Sequence, residues 1–303
     1  CSKKQSGLDI IMRHITQPIF LLCIGLLAAI FLLPACLSGS RTSPKLTFKH
    51  AYAQDKQPVF WLVYYPYPPS QPENLLPKVR AIPHFDGWTD LRMERDLQRI
   101  TAAGFSTILL HITPETMASE TFAERLRKFH QLAGRLPAPP AIALVLTSPA
   151  KDFTLSLPNT MNFFTSRGFA KLPLALQMQQ KPILFFSDQM QLIDDYFGSV
   201  SYAKISECLP PVEIFYERSN KPGCRISAAA NPLLPKENPQ NQIAVYRENG
   251  LYFVKQLQRA FDHKAAIICI SSWNNYQNAS FIEPNSLDQN LMIEILQEAR
   301  QKL

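Results

Sequence analysis

Several short apolar runs in this 303-residue chain end in side chains suited to a hydroxyl-rich ligand. Tyr64, Tyr65 and Tyr67 close the run "VFWLVYY" and its sequel, and His111 sits in "LLHI". Asp188 ends "KPILFFSD", and Glu217 ends "VEIFYE". The stretch "SSWNNYQNASFIEPN" (271–285) follows "AAIICI" and brings Trp273, Asn275, Gln277, Asn278 and Glu283. Asp86, in "HFDGW", adds a further acid. Aromatic faces pack on the C–H surfaces of pyranose rings, while Asn, Gln and Asp direct hydrogen bonds to hydroxyls. The set is aromatic, amide-rich and neutral to acidic, the mixture that a sugar-binding cleft needs.

Each of these residues also has a plainer role open to it. Tyr64 and Tyr65 are adjacent, so in a strand they point to opposite faces and at least one belongs to the core. His111, flanked by Leu and Ile, suits a hydrogen-bonded structural histidine as well as a base. Asp188 and Glu217 could cap helices or pair with cations, and Asp86 could bond its own backbone in a turn.

Other chemistries lack their motifs. The six His are scattered without HxH or HExxH, and the six Cys form no CxxC, so neither a metal site nor any other cofactor is expected. No Ser stands in a GxSxG elbow. Only 10 Gly accompany 25 Pro, and no GxGxxG or GxxxxGK[ST] phosphate loop is present. Lys and Arg number 31 against 24 acids. Setting aside Lys3, Lys4, Arg13 and Asp9 leaves 28 against 23, too diffuse an excess to predict a nucleic-acid partner.

The elements that must position these residues alternate in type from residue 58 onward. "VFWLVYY" (59–65), "STILLHI" (106–112), "AIALVLT" (141–147), "KPILFFSD" (181–188), "VEIFYE" (212–217) and "AAIICIS" (265–271) read as strands. "TDLRMERDLQRITAAG" reads as a helix, with Met93, Leu97, Ile100 and Ala103 at helical spacing and Gly104 at C′. Thr113-Pro114 starts a helix that runs to about Leu132, "LYFVKQLQRAF" is another, and Ser286 with Gln289 forms a capping box for the last. Strands apolar on both faces, alternating with helices, predict a parallel α/β fold. The length of 58–303 without a composition break suits one (β/α)8 TIM-type barrel, with a doubly wound sheet as the runner-up. Regions 150–180 and 219–242 read as long loops on the active face. A disulfide between Cys208 and Cys224 is open if the domain is exported.

Ahead of the domain, a short basic start at Met12 precedes an apolar core, Ile19–Leu33, and then Pro34-Ala35-Cys36. That layout is a secretory signal, and its end matches a lipobox with Cys36 as the lipidated residue. Cleavage after "AYA" (51–53), or an uncut apolar anchor, are the alternatives. All three predict an exported domain, held to or released from a bacterial envelope membrane. Residues 1–35 then form the signal or anchor and 36–57 a polar tether.

The final strand and the loop after it resemble glycoside hydrolase family 99, whose barrels end in a motif of the form NEWxEGxxxEP. Here the matching letters are "NNYQNASFIEP", Asn274 to Pro284. "VYYPYP" is similar to the family's first strand, and "DLRMERDLQRITAAGFSTILLHI" to its first helix and second strand. The resemblance covers both ends of the domain, about half of its length. It implies a (β/α)8 barrel, no metal, and cleavage within α-mannosides or related glycans with retention, carried by two carboxylates. Those two Glu map onto Asn275 and Asn278. An amide neither supplies nor accepts a proton near neutral pH, and losing one catalytic carboxylate costs orders of magnitude in rate. The expectation is therefore an exported glycan-binding barrel with lost or altered hydrolase activity, with no confident catalytic residue. An active hydrolase with acids relocated to Asp188 or Glu217, or a structural envelope lipoprotein, are the alternatives.

Overall fold

A computed structural model describes residues 57–68, 78–83, 87–148, 153–215, 222–229, 247–277 and 279–303. The predicted signal, Cys36 and the tether up to residue 56 lie outside the described residues, as do Asp86, Glu217 and Asn278.

The first strand sets the architecture. β1 (Val59–Tyr64) pairs in parallel with β2 (Phe105–Ile112) on one side and with β10 (Ile267–Ser271), the last strand, on the other. Beyond β2 come β3 (Ala141–Leu146), β6 (Lys181–Phe186) and β8 (Ser201–Lys204); beyond β10 comes β9 (Gly223–Ser227). Strand number thus runs on around β1 from both sides, which is the cyclic order of a (β/α)8 barrel. A doubly wound sheet would instead set the first strand beside an early strand of the second half. The two-residue β5 (Gln177–Met178) is an antiparallel addition to β6, and β4 (Thr154–Ser156) pairs with β7 (Gln191–Ile193) apart from the main sheet.

The ring does not close. Pro211 makes one parallel bridge to Arg225 on the free side of β9, but no pairing joins β8 to Pro211 among the described residues. The chain between them holds only Ile205–Cys208, a four-residue helix, followed by Leu209-Pro210-Pro211. Two adjacent prolines remove two backbone donors where a sixth strand would need them.

Strand alternation splits the core in two. Val63, Leu109, Ala143, Val145, Ile183, Phe185 and Cys269 pack on one face of the sheet, together with Ile205 and Leu209. Their neighbours Leu62, Ile108, Leu110, Leu144, Leu184, Phe186, Ile268 and Ile270 pack outward under the helices. Those helices are α1 (Asp90–Ala102), α2 (Pro114–Ala118), α3 (Glu120–Ala133), α4 (Leu157–Ser166), α5 (Ile205–Cys208), α6 (Val212–Phe215), α7 (Leu251–Asp262) and α8 (Leu291–Gln301). α1 begins at Thr89, whose hydroxyl accepts from Arg92 N, and stops at Gly104, whose φ of 83° suits the predicted C′ position.

Three expectations need correction. "VEIFYE" is not a strand: Val212–Phe215 forms α6, which follows the Pro pair directly, and β9 arises instead in the stretch read as loop. The helix from Thr113 breaks at Ser119, which ends α2 and caps α3 through its own hydroxyl. Ser286 does not cap the last helix, because its hydroxyl and N–H are taken by the backbone of Arg80, and α8 starts at Leu291. The bridge left open between Cys208 and Cys224 is not formed. Region 150–180 also proves structured where described, holding β4, α4 and β5. No helix separates β6 from β8; only β7 and irregular chain cross between them.

Candidate functional site

At the C-terminal ends of the parallel strands lies a cleft of about 720 Å³. In barrels of this kind, function gathers at that end. Tyr65 and Tyr67 come from the end of β1, and His111 from β2, with Thr113 and Thr116 following it. Thr147 and Ser148 follow β3; Ser187, Asp188 and Gln189 follow β6; Arg225 stands on β9; Asn275 and Gln277 follow β10. The cleft therefore unites Tyr65, Tyr67, His111, Asp188, Asn275 and Gln277 among the candidates read from sequence.

The other described candidates point elsewhere. Tyr64 is fully buried on the helix side, where its hydroxyl donates to Asp96 Oδ2 at 2.8 Å and its ring meets Trp88 and Phe129. Trp273 is fully buried in the same outer core. Glu283 is 3% exposed; it accepts from Arg92 Nη2 at 3.1 Å and from the Tyr276 hydroxyl at 2.5 Å. The cause is the strand's two-residue period, which sends Tyr64 outward when Tyr65 points in, and the tight folding of the loop after β10.

Backbone and side-chain bonds fix that loop. Trp273 N donates to Val63 O at 2.7 Å, and Asn274 clamps Tyr65 from both sides, accepting from its N–H at 2.9 Å and donating to its carbonyl at 2.8 Å. Asn274 thus replaces a strand partner just past the end of β1. Asn275 N donates to Ser272 Oγ at 2.8 Å, and the Asn275 side chain lies near enough to the Tyr65 phenol to favour its ionised form.

Two buried arginines anchor the loop from outside. Arg92 of α1 binds Glu283 on one side and Asp96 on the other, at 3.1 Å each. Arg247 is 1% exposed; it holds Asp288 through Nε and Nη2, donates to the carbonyls of Ala279 and Phe281, and stacks on the Phe281 ring at 4.3 Å. Breaking a buried pair by removing one partner leaves an uncompensated charge, so each arginine locks its partners in place.

The electrostatics of the cleft centre on Arg225. Its Nη2 donates to Asp188 Oδ2 at 3.2 Å and its Nε to Leu209 O at 2.8 Å. Asp188 Oδ1 also accepts from Ser206 N at 3.0 Å. Asp188 is the only carboxylate lining the cleft among the described residues, and both its oxygens are engaged. Burial, with the Arg225 charge beside it, pushes His111 down to about 3, so the imidazole is neutral at physiological pH. Burial raises the Tyr65 phenol, against the Asn275 side chain and the nearby guanidinium. Two cleft-lining polar atoms, His111 Nε2 and Ser187 Oγ, are buried without a hydrogen-bond partner. Aromatic faces, amides and hydroxyls thus surround a neutral imidazole and one paired cation.

Sequence reasoning missed Arg225, because "GCRIS" lay in a stretch read as loop. Thr147 and Ser187 carried a usable signal, since each closes a predicted strand as His111 and Asp188 do.

Comparison with family models and with curated proteins yields no match. Solved structures do match in fold. The GH99 endo-α-mannosidase from Bacteroides thetaiotaomicron, in complex with bis-tris-propane, superposes with a TM-score of 0.54 at 11% identity, over 80% of this chain and 97% of that one. A second structure of the GH99 endo-α-mannosidase from that organism gives 0.50 at 10% identity, over 80% and 98%. A glycoside hydrolase-like protein gives 0.52 at 12% identity, over 84% and 98%. The domain is GH99-like in fold.

Proposed function

We propose that the barrel binds a glycan in the cleft above its strand ends and does not hydrolyse it by the two-carboxylate route. The observation that carries this reading is Asn275. It lines the cleft, 5% exposed and next to Tyr65, at a position where the family resemblance expects a catalytic glutamate. An amide there donates and accepts hydrogen bonds but moves no proton at neutral pH. Asp188 is poorly placed to replace it, because an ion pair and a backbone N–H hold both its oxygens. The likeness to an endo-α-mannosidase in fold makes α-mannosides and related polysaccharides the first ligands to test. The sequence pattern around Cys36 extends the reading to an exported, lipid-anchored protein of a bacterial envelope.

Calorimetric titration of the purified protein with α-mannan oligosaccharides, beside a chromatographic product assay, tests both halves of the reading. Binding without product supports it. Product formation overturns the loss of hydrolysis, and no binding of any glycan overturns the glycan site. Mass spectrometry of the membrane-extracted protein tests the anchor, through an N-terminal acylated Cys36.

A further inference from the structure

From the Arg225 corner of the cleft we infer that the glycan carries a carboxylate, as a uronic-acid sugar does, and that Arg225, His111 and Ser187 receive it. This deepens the glycan-binding reading above and rests on it. Of the guanidinium's five N–H groups, Nε goes to Leu209 O and one on Nη2 goes to Asp188. Nη1 hydrogen-bonds no described residue, and Arg225 is a lining residue of the cleft.

The same cleft is lined by His111, which feels the Arg225 charge, and by Ser187, and among the described residues His111 Nε2 and Ser187 Oγ have no hydrogen-bond partner. Leaving a buried polar atom without a partner is costly, so two such atoms on residues that line one cleft point to a ligand that binds there. Neutral His111 donates from Nε2 in one tautomer, and Ser187 donates after a turn about χ1. Together with Nη1 they supply donors from the ends of three strands, and a carboxylate is a sugar substituent that only accepts.

Asp188 does not forbid a second anion. Its side chain is 40% exposed against 21% for Arg225, so the acid lies nearer solvent, where its repulsion is screened.

The test pairs charged and neutral forms of the same sugar. The full chain is titrated calorimetrically with mannuronate, guluronate, galacturonate and glucuronate oligosaccharides, each beside its carboxyl-reduced neutral product. At least one acidic member is expected to bind tenfold or more tightly than its reduced counterpart, with the advantage shrinking as salt rises. Arg225→Met should abolish the advantage. Ser187→Ala removes a hydroxyl that bonds nothing in the fold, so it should leave the melting temperature unchanged and weaken the acidic ligand several-fold. Neutral members binding as well as acidic ones would overturn the inference while leaving the glycan site intact. An unaltered acidic preference in Ser187→Ala would remove Ser187 from the site, and no binding in either series would overturn the inference and leave the glycan reading to the α-mannan titration.

Discussion

Replacing Glu283 by Gln removes one of the two carboxylates that face the Arg92 guanidinium. The buried triad of Arg92, Asp96 and Glu283 has one negative charge more than its single cation balances. Burial raises the Glu283 carboxyl from 4.5 to about 8, Arg92 opposing and Asp96 adding to the rise. The folded chain therefore keeps a proton that the unfolded chain releases from about pH 4.5 upward. Stability from such a group is fully present below the unfolded value and is lost as pH rises through the folded one. At about 1.4 kcal/mol per pH unit, the loss between pH 6.5 and 8 comes to roughly 2 kcal/mol. That window is the informative one. Burial holds His111 and His130 down to about 3 and 4, so below pH 6.5 their linkage runs the other way. Glu283→Gln keeps an acceptor for Arg92 and removes the surplus charge. Urea unfolding at pH 6.5, 7.25 and 8 should show wild-type stability falling and the variant nearly flat. The variant should gain on the wild type across the window by on the order of 1–2 kcal/mol. A wild-type stability that holds or rises across the window, or an equal slope in both proteins, would refute the reasoning.

Three further outcomes rest on other contacts. His130 is 3% exposed in α3 and held neutral by burial, so His130→Leu should reduce the stability lost between pH 6.5 and 4 by up to about 3 kcal/mol, read from unfolding curves at both pH values. Arg247→Met strands Asp288 and frees the carbonyls of Ala279 and Phe281, so it should cost about 3–5 kcal/mol. Hydrogen exchange should place the lost protection first at 279–288. Asn275→Ala removes the amide that meets the Tyr65 phenol in the cleft, and should weaken glycan binding by about 1–2 kcal/mol with little change in melting temperature.

The strands legible in the sequence were those with continuous apolar runs, because burial on both faces leaves no other pattern. β1, β2, β3, β6 and β10 all follow that rule. β8 ("SYAK") and β9 ("GCRIS") do not, since each carries polar residues that its place beside the open seam tolerates. Missing β9 meant missing Arg225, and with it the charge that governs the cleft. Tyr64, Trp273 and Glu283 show the complementary limit. Their types suit a sugar site, but only packing reveals that each faces the outer core. Nothing local in "FIEP" announces that Glu283 will meet Arg92, which is 191 positions away in the chain.

The doubly anchored loop after β10 bears on how ligand would be received. With Asn274 clamped to Tyr65 and two arginines gripping Glu283 and Asp288, this wall of the cleft has its shape before anything arrives. A ligand meeting it need not order the backbone, and so avoids the entropic penalty that a folding-on-binding loop imposes. Association should then be a near-rigid encounter, and changes to Asn275 or Gln277 should register in how long the complex lasts rather than in how fast it forms.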